Sequence, residues 1–408
     1  MKAILAFGIL LFIAYLGAQG LFSKKKILSP VNYFFISGLI YIVFGVLLGK
    51  NVLNVLSPEV LTEFRPLVGL GLGWIGFLFG FQLELRYIRQ FPLKYIGFSW
   101  LHSLFSFLSV TLVFWLVLGI AFPAHSSFLL TGLAISLGII ASISSSSFIP
   151  LVSPLIRKGE YYRLARFSTS IDDFWGLWGI ALVTCFWHYP FFKQRVFLNG
   201  LLLFFGSLIF CFLLSLIFHL LTRSTSDSKE LLVLLLGMVF FVSGAAVYFN
   251  LSPIFINMVL GLVFSRLTKH HEKVYPIFIS TEKPFYIIFL ILIGALWDIN
   301  FNLKILILTF IFVVFRMISY SFSLPLIEKL LKFPFSLPPV FGLSFLSQGG
   351  VGIALAIHFK MAYPLPLTDI LVSIALFGIL INEILAPWGL RISLVKLERE
   401  GLPIKVQE

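Results

Sequence analysis

FSTSIDDFWGLWGIALV, residues 167–183, is the stretch that decides how the chain is read. It is apolar and long enough to cross a bilayer, yet it carries two adjacent carboxylates, Asp172 and Asp173. The run starts just after Arg166, so at 1.5 Å per residue Asp173 lies roughly 10 Å in from the basic end, approaching the bilayer centre. Two carboxylates at that depth cost several kcal/mol unless neutralised, paired or hydrated, and such residues mark function by default. Neighbours on a helix point about 100° apart, so the pair must face different surroundings. One can face a water-filled cavity while the other meets a fixed partner. An intramembrane aspartyl protease would need two separated aspartates facing one another, which adjacent residues do not provide, and no enzyme is expected.

The rest of the chain is of the same kind. Of 408 residues, 59% are hydrophobic and only 12% are charged, with a mean hydropathy of +1.04, whereas a soluble surface needs far more charge. Apolar runs recur near 3–22, 31–49, 66–82, 95–121, 127–154, 167–188, 197–222, 230–249, 252–265, 278–297, 302–325, 339–359 and 369–389. The fold class this implies is an all-α polytopic membrane protein with about thirteen transmembrane helices. Residues 1–26 are read as the first span rather than a cleaved signal peptide, which would invert the charge pattern that follows. Lys24–Lys26, Arg86, Arg89, Lys94, Arg157, Lys158, Arg163 and Arg166 fall in loops on one side. That asymmetry puts the N-terminus outside and the C-terminus in the cytoplasm of a cell inner membrane. The net charge of +13 therefore sets orientation, and no basic soluble face is left for a nucleic acid. Cys185 and Cys211 have no metal-site or disulfide spacing. Gly69, Gly73, Gly76 and Gly80 form a stripe suited to close helix packing, and the short ninth run fits a helix shielded by protein.

Three further polar groups break the apolar pattern. Arg316, in ILTFIFVVFRMISYSF (307–322), is about 12 residues or roughly 18 Å of helix from Lys304 at the far end of its run. It needs an anion there, and Asp172 or Asp173 is the economical partner. ASISSSSFIP (141–150) combines hydroxyls that compete for backbone hydrogen bonds with Pro150, which removes one. SFLSQGGVGIALA (344–356) places Gln348, Gly349 and Gly350 where a second helix can break. Broken helices are tolerated at membrane depth only inside protein or along a cavity. Two of them in corresponding halves point to a transporter built from inverted repeats, with both breaks, at 142–147 and 347–350, approaching one another. Glu383, deep in the last run, is a candidate for a proton path.

In order and spacing these segments resemble the monovalent cation:proton antiporter superfamily, the sodium/hydrogen exchanger fold, over about residues 30–390. FLFGFQLELRYIRQFP (77–92) resembles the end of that family's third span. ASISSSSFIPLV followed by RLARFSTSIDDFWGLWGIAL (163–182) resembles its broken helix and aspartate helix. FVSGAAVYFNLSPIFINMVLGLVFS (241–265) is similar to its eighth and ninth spans. FRMISYSF (315–322) and FLSQGGVGIALAI (345–357) are similar to the helix with a buried Lys or Arg and to the second broken helix.

The resemblance implies scaffold and dimerisation helices in 1–94 and 230–297, and a mobile core in 95–190 and 298–390. A linker helix in 191–229 and a cytoplasmic tail in 391–408 complete that scheme. It implies exchange of Na+ or K+ for H+ by alternating access in a homodimer within the lipid bilayer, without a cofactor. Asp173 would be the carboxylate that binds the monovalent cation or proton, with Ser144, Ser145, Ser146 and Ser147 beside it, and Asp172 the ion-pair partner of Arg316. Sodium-selective relatives often place an Asp beside a Thr where Ser144–Ser147 stand here, so hydroxyls and carbonyls would meet the cation instead. A cation channel or uniporter on the same fold is the competing reading.

Overall fold

A computed structural model describes residues 2–19, 38–83, 90–146, 148–149, 158–187, 196–223, 227–268, 271–299 and 301–400. Every regular element among them is helical. In chain order these are α1 (Lys2–Ala18), α2 (Ile40–Leu48), α3 (Pro58–Glu63), α4 (Arg65–Gln82), α5 (Leu93–Ala121), α6 (Ser127–Ser142) and α7 (Glu160–Phe186). Then follow α8 (Val196–Thr222), α9 (Ser228–Tyr248), α10 (Pro253–Leu267), α11 (His271–Leu296) and α12 (Leu303–Leu331). A 3-10 turn (Pro339–Phe345), α13 (Gly349–Ala362), α14 (Pro366–Leu390), a π-turn (Arg391–Val395) and α15 (Lys396–Glu400) complete the described chain. Leu93–Ala121, Leu198–Thr222, Glu230–Tyr248, Leu303–Leu331 and Pro366–Arg399 are each long and apolar enough to cross a membrane. The 3-10 turn and α13 satisfy the same test together, as one span bent by 68°. The protein is a multi-pass membrane protein.

The helices sort into two compact units. One comprises Met1–Leu28, Gly38–Arg89 and Thr184–Asp298, the other Ser29–Ser37, Gln90–Val183 and Ile299–Glu408.

The first unit is held by close backbone approach. At Gly76 and Gly80 on α4 an added Cβ would strike the carbonyl oxygens of Ile254 and Met258 on α10, so the stripe serves helix packing as its spacing predicts. The short helix α10 is buried at every residue from Pro253 to Gly261, which is why fifteen residues suffice for it. Cys185 and Cys211 are both free and buried.

In the second unit α5 and α12 are 29 residues each and frame the shorter, interrupted helices. Asp172, Arg316, Gln348, Asn382 and Glu383 are all buried in this unit. Charge that the apolar composition would otherwise exclude is concentrated here, and each group must find its compensation locally.

Candidate functional site

The site is organised by two helix ends that stop inside the second unit. Helix α6 ends at Ser142, and residues 143–146 are irregular. The second break falls at 346–348, one to two residues before the position its glycines suggest. Gly349 opens α13 at a φ of +61°, a left-handed conformation that costs an L side chain about 1–2 kcal/mol, while Gly350 already lies within the helix. The two breaks touch through main chain, with the Ser145 N–H donating to the Ser347 carbonyl at 2.7 Å. Ser147 and Pro150 lie outside the described residues.

Arg316 on α12 reaches this crossing, but not by the route its charge suggested. Its Nε donates to Ala141 O at 2.9 Å, and Nη2 donates to Ile143 O at 2.7 Å. From the other broken helix, Leu346 O accepts from Nη1 at 2.8 Å and Phe345 O from Nη2 at 3.0 Å. The Tyr320 ring, one turn along α12, lies 4.6 Å from the guanidinium carbon, and its hydroxyl donates to Ala141 O at 3.0 Å. The expected ion pair with Asp172 is therefore corrected: the described structure joins Arg316 to neither aspartate. Physically, a helix C-terminus leaves carbonyls unsatisfied and partly negative. Two such ends meet here, and the five fixed donors of a guanidinium match them.

Glu383 on α14 plays the complementary part at the helix start. Its Oε1 accepts from the N–H of Gln348 at 2.8 Å and of Gly349 at 2.6 Å, and Ser347 Oγ donates to both oxygens at 3.0 and 3.1 Å. A carboxylate at a helix N-terminus satisfies orphan donors and the positive end of the helix dipole. That geometry makes Glu383 the cap of α13. Gln348, in the break itself, donates from Nε2 to Ile140 O at 2.7 Å and accepts from Asn382 Nδ2 at 2.9 Å, tying α14 to the end of α6.

The aspartates differ sharply in surroundings. Asp172 is caged by four hydroxyls. Ser99 and Ser103 of α5 donate to Oδ1 at 2.6 and 2.9 Å, Ser168 donates to Oδ1 at 3.3 Å, and Ser144 donates to Oδ2. Asp173 points another way, and its buried Oδ1 has no hydrogen-bond partner among the described residues. Of the serines in the first break, Ser144 is brought to Asp172, Ser145 contacts the second break through its main chain, and Ser146 is half-buried.

Ser99, Ser103, Ser168 and Tyr320 escaped the sequence reading. The signal was present, since Ser99 and Ser103 stand at i and i+4, on one face of α5, as do Arg316 and Tyr320 on α12.

Residues 8–396 match a protein family described as "Sodium/hydrogen exchanger, transmembrane". The chain belongs to the sodium/hydrogen exchanger family. A structure of the sodium proton antiporter MjNhaP1 from Methanocaldococcus jannaschii at pH 8 is similar to it, with a TM-score of 0.70, 16% identity, and coverage of 97% of this chain and 98% of that one. An electron-microscopy map of the same antiporter gives a TM-score of 0.67 at 16% identity, covering 99% and 100% of the two chains. At this identity the likeness is one of fold. No curated protein matches the sequence. Within this sodium/hydrogen exchanger fold the described residues hold no group of three or more His, Cys, Asp or Glu suited to a metal ion.

Proposed function

We propose that the protein exchanges a monovalent cation, Na+ or K+, for H+ by alternating access, with Asp173 binding the proton and the cation in turn. The observation carrying this reading is the contrast within the aspartate pair. Four hydroxyls occupy Asp172, whereas Asp173 keeps a buried oxygen without a partner among the described residues. A buried polar atom left unpaired demands an explanation, and an exchangeable ligand supplies one. A cation held by Asp173 and by oxygens of the serine-rich break displaces the proton, and the proton displaces the cation. With neither bound, an uncompensated charge opposes movement through the membrane, so loaded states cross and the two fluxes are coupled.

In this reading α5–α7 and α12–α14 are the moving core, consistent with their grouping in one compact unit, and the remaining helices are a scaffold that dimerises. The charge asymmetry of the loops supports an N-terminus outside and a C-terminus in the cytoplasm of an inner membrane. The test is flux in proteoliposomes with Na+ or K+ under an imposed pH gradient. Cation movement driven by the proton gradient, and proton movement driven by the cation gradient, are expected. Cation flux indifferent to the proton gradient would replace exchange with the channel or uniporter reading.

A further inference from the structure

The chain continues past α14 to grip the start of α7. Helix α7 starts at Glu160, so its first N–H groups have no acceptor within the helix, and Gly159 before it has no side chain to cap them. The acceptor comes instead from α15. Glu398 Oε1 takes the N–H of Tyr162 at 2.7 Å. A Cβ added at Gly159 would land on Glu398 Oε2. The backbone at Gly159 is not left-handed, so the missing side chain serves this approach and not an unusual φ.

The route to this contact is built with some care. Between α14 and α15 the chain makes a π-turn, Arg391–Val395, a rare geometry that rotates whatever follows it. Ser393 in that turn hydrogen-bonds Ser344 at 2.7 Å and donates to Gly389 O at 2.6 Å. The neighbouring acid, Glu160, is engaged by Arg163 at 3.0 Å and by the Tyr95 hydroxyl, leaving the helix end to Glu398.

We propose that Glu398 is a positioning residue of the exchanger: it caps α7 from the C-terminal helix, so that α7 with Asp172 and Asp173 moves as one piece with α14 and its Glu383. The helices are then tied at two levels. Mid-length, Ser144 joins Asp172 and Ser347 joins Glu383 across the touching breaks; at the end, Glu398 joins Tyr162. The inference rests on the exchange reading above.

The test uses the full chain in proteoliposomes, with Na+-driven proton flux measured per mole of folded protein. Glu398→Ala and Gly159→Ala each lower turnover about fivefold, the size of a lost helix cap, with the KM for Na+ unchanged. The double variant is no slower than the slower single, because both changes break one contact. Glu398→Gln, which keeps an oxygen for the Tyr162 N–H, restores most of the turnover, and Arg399→Gln on the exposed side of α15 leaves it at the wild-type value. If Glu398→Ala destabilises the protein, Gly159→Ala and Glu398→Gln carry the comparison, since both retain every buried polar group. Wild-type turnover in the Gly159→Ala variant, a KM that rises with the loss, or additive losses in the double variant would overturn the proposal. The wild-type protein in the same vesicles separates the two readings: cation flux that ignores the proton gradient there refutes the exchange reading, whereas coupled exchange in the wild type with unchanged turnover in Gly159→Ala refutes the role of Glu398 alone.

Discussion

The two breaks in the second unit meet at one point yet are compensated in opposite senses. The first is a helix that stops: α6 presents the carbonyls of Ile140 and Ala141, and Ile143 follows in the break, with Arg316 covering Ala141 and Ile143 and Gln348 covering Ile140. The second both stops and starts, so it needs charge of each sign. Arg316 takes the carbonyls of Phe345 and Leu346, while Glu383 takes the N–H groups of Gln348 and Gly349. Buried charges are usually justified by one another. Here each is justified by the broken ends of helices, which leaves the aspartates free of Arg316 and available for other partners.

That comparison can be broken most severely at Arg316, the residue both breaks share. Arg316→Ala leaves the carbonyls of Ile143, Phe345 and Leu346 without their donor, while Ala141 O keeps the Tyr320 hydroxyl, and a loss of about 3–5 kcal/mol in stability is expected from several buried acceptors left unpaired at once. It should show as a large fall in the thermal unfolding midpoint of the purified protein. An unchanged midpoint would mean that the helix ends are satisfied in another way. A smaller effect belongs to the second break alone. Glu383→Gln keeps an acceptor for the N–H groups of Gln348 and Gly349 but loses the charge at the start of α13, and should cost about 1–2 kcal/mol in the same measurement. If it cost as much as Arg316→Ala, the division of labour between the two charges would be wrong.

How much of this was legible in the sequence depends on the kind of information. Residues out of place in an apolar context announced themselves: Asp172, Arg316, Ser144, Ser145 and Gly349 all lie at or beside the crossing. Their identity alone carries that message, because burial of such groups is costly whatever surrounds them. Partner choice was not legible. Pairing Arg316 with one of the two aspartates follows from counting side-chain charges, and the family resemblance singles out Asp172, but backbone carbonyls carry no letter in a sequence, and four of them outcompeted the carboxylate once two helix ends converged. Ser99 and Ser103 were hidden for a related reason: serines in apolar helices commonly bond their own backbone, so the i, i+4 pair was unremarkable until Asp172 lay opposite. Glu398 sits in a polar segment where a glutamate is unexceptional, and only the π-turn gives it a direction.

The smallest structural change carries the largest functional consequence. Asp173→Asn alters one atom of a side chain whose Oδ1 has no partner among the described residues, so the folded protein should melt close to the wild-type temperature, within the few tenths of a kcal/mol typical of a change that removes no contact. The measurement that matters is proton-coupled cation flux by this variant in proteoliposomes under an imposed pH gradient. If Asp173 is the carboxylate that proton and cation share, coupled exchange is abolished while the protein remains folded. Coupled exchange at the wild-type rate would contradict the account at its centre.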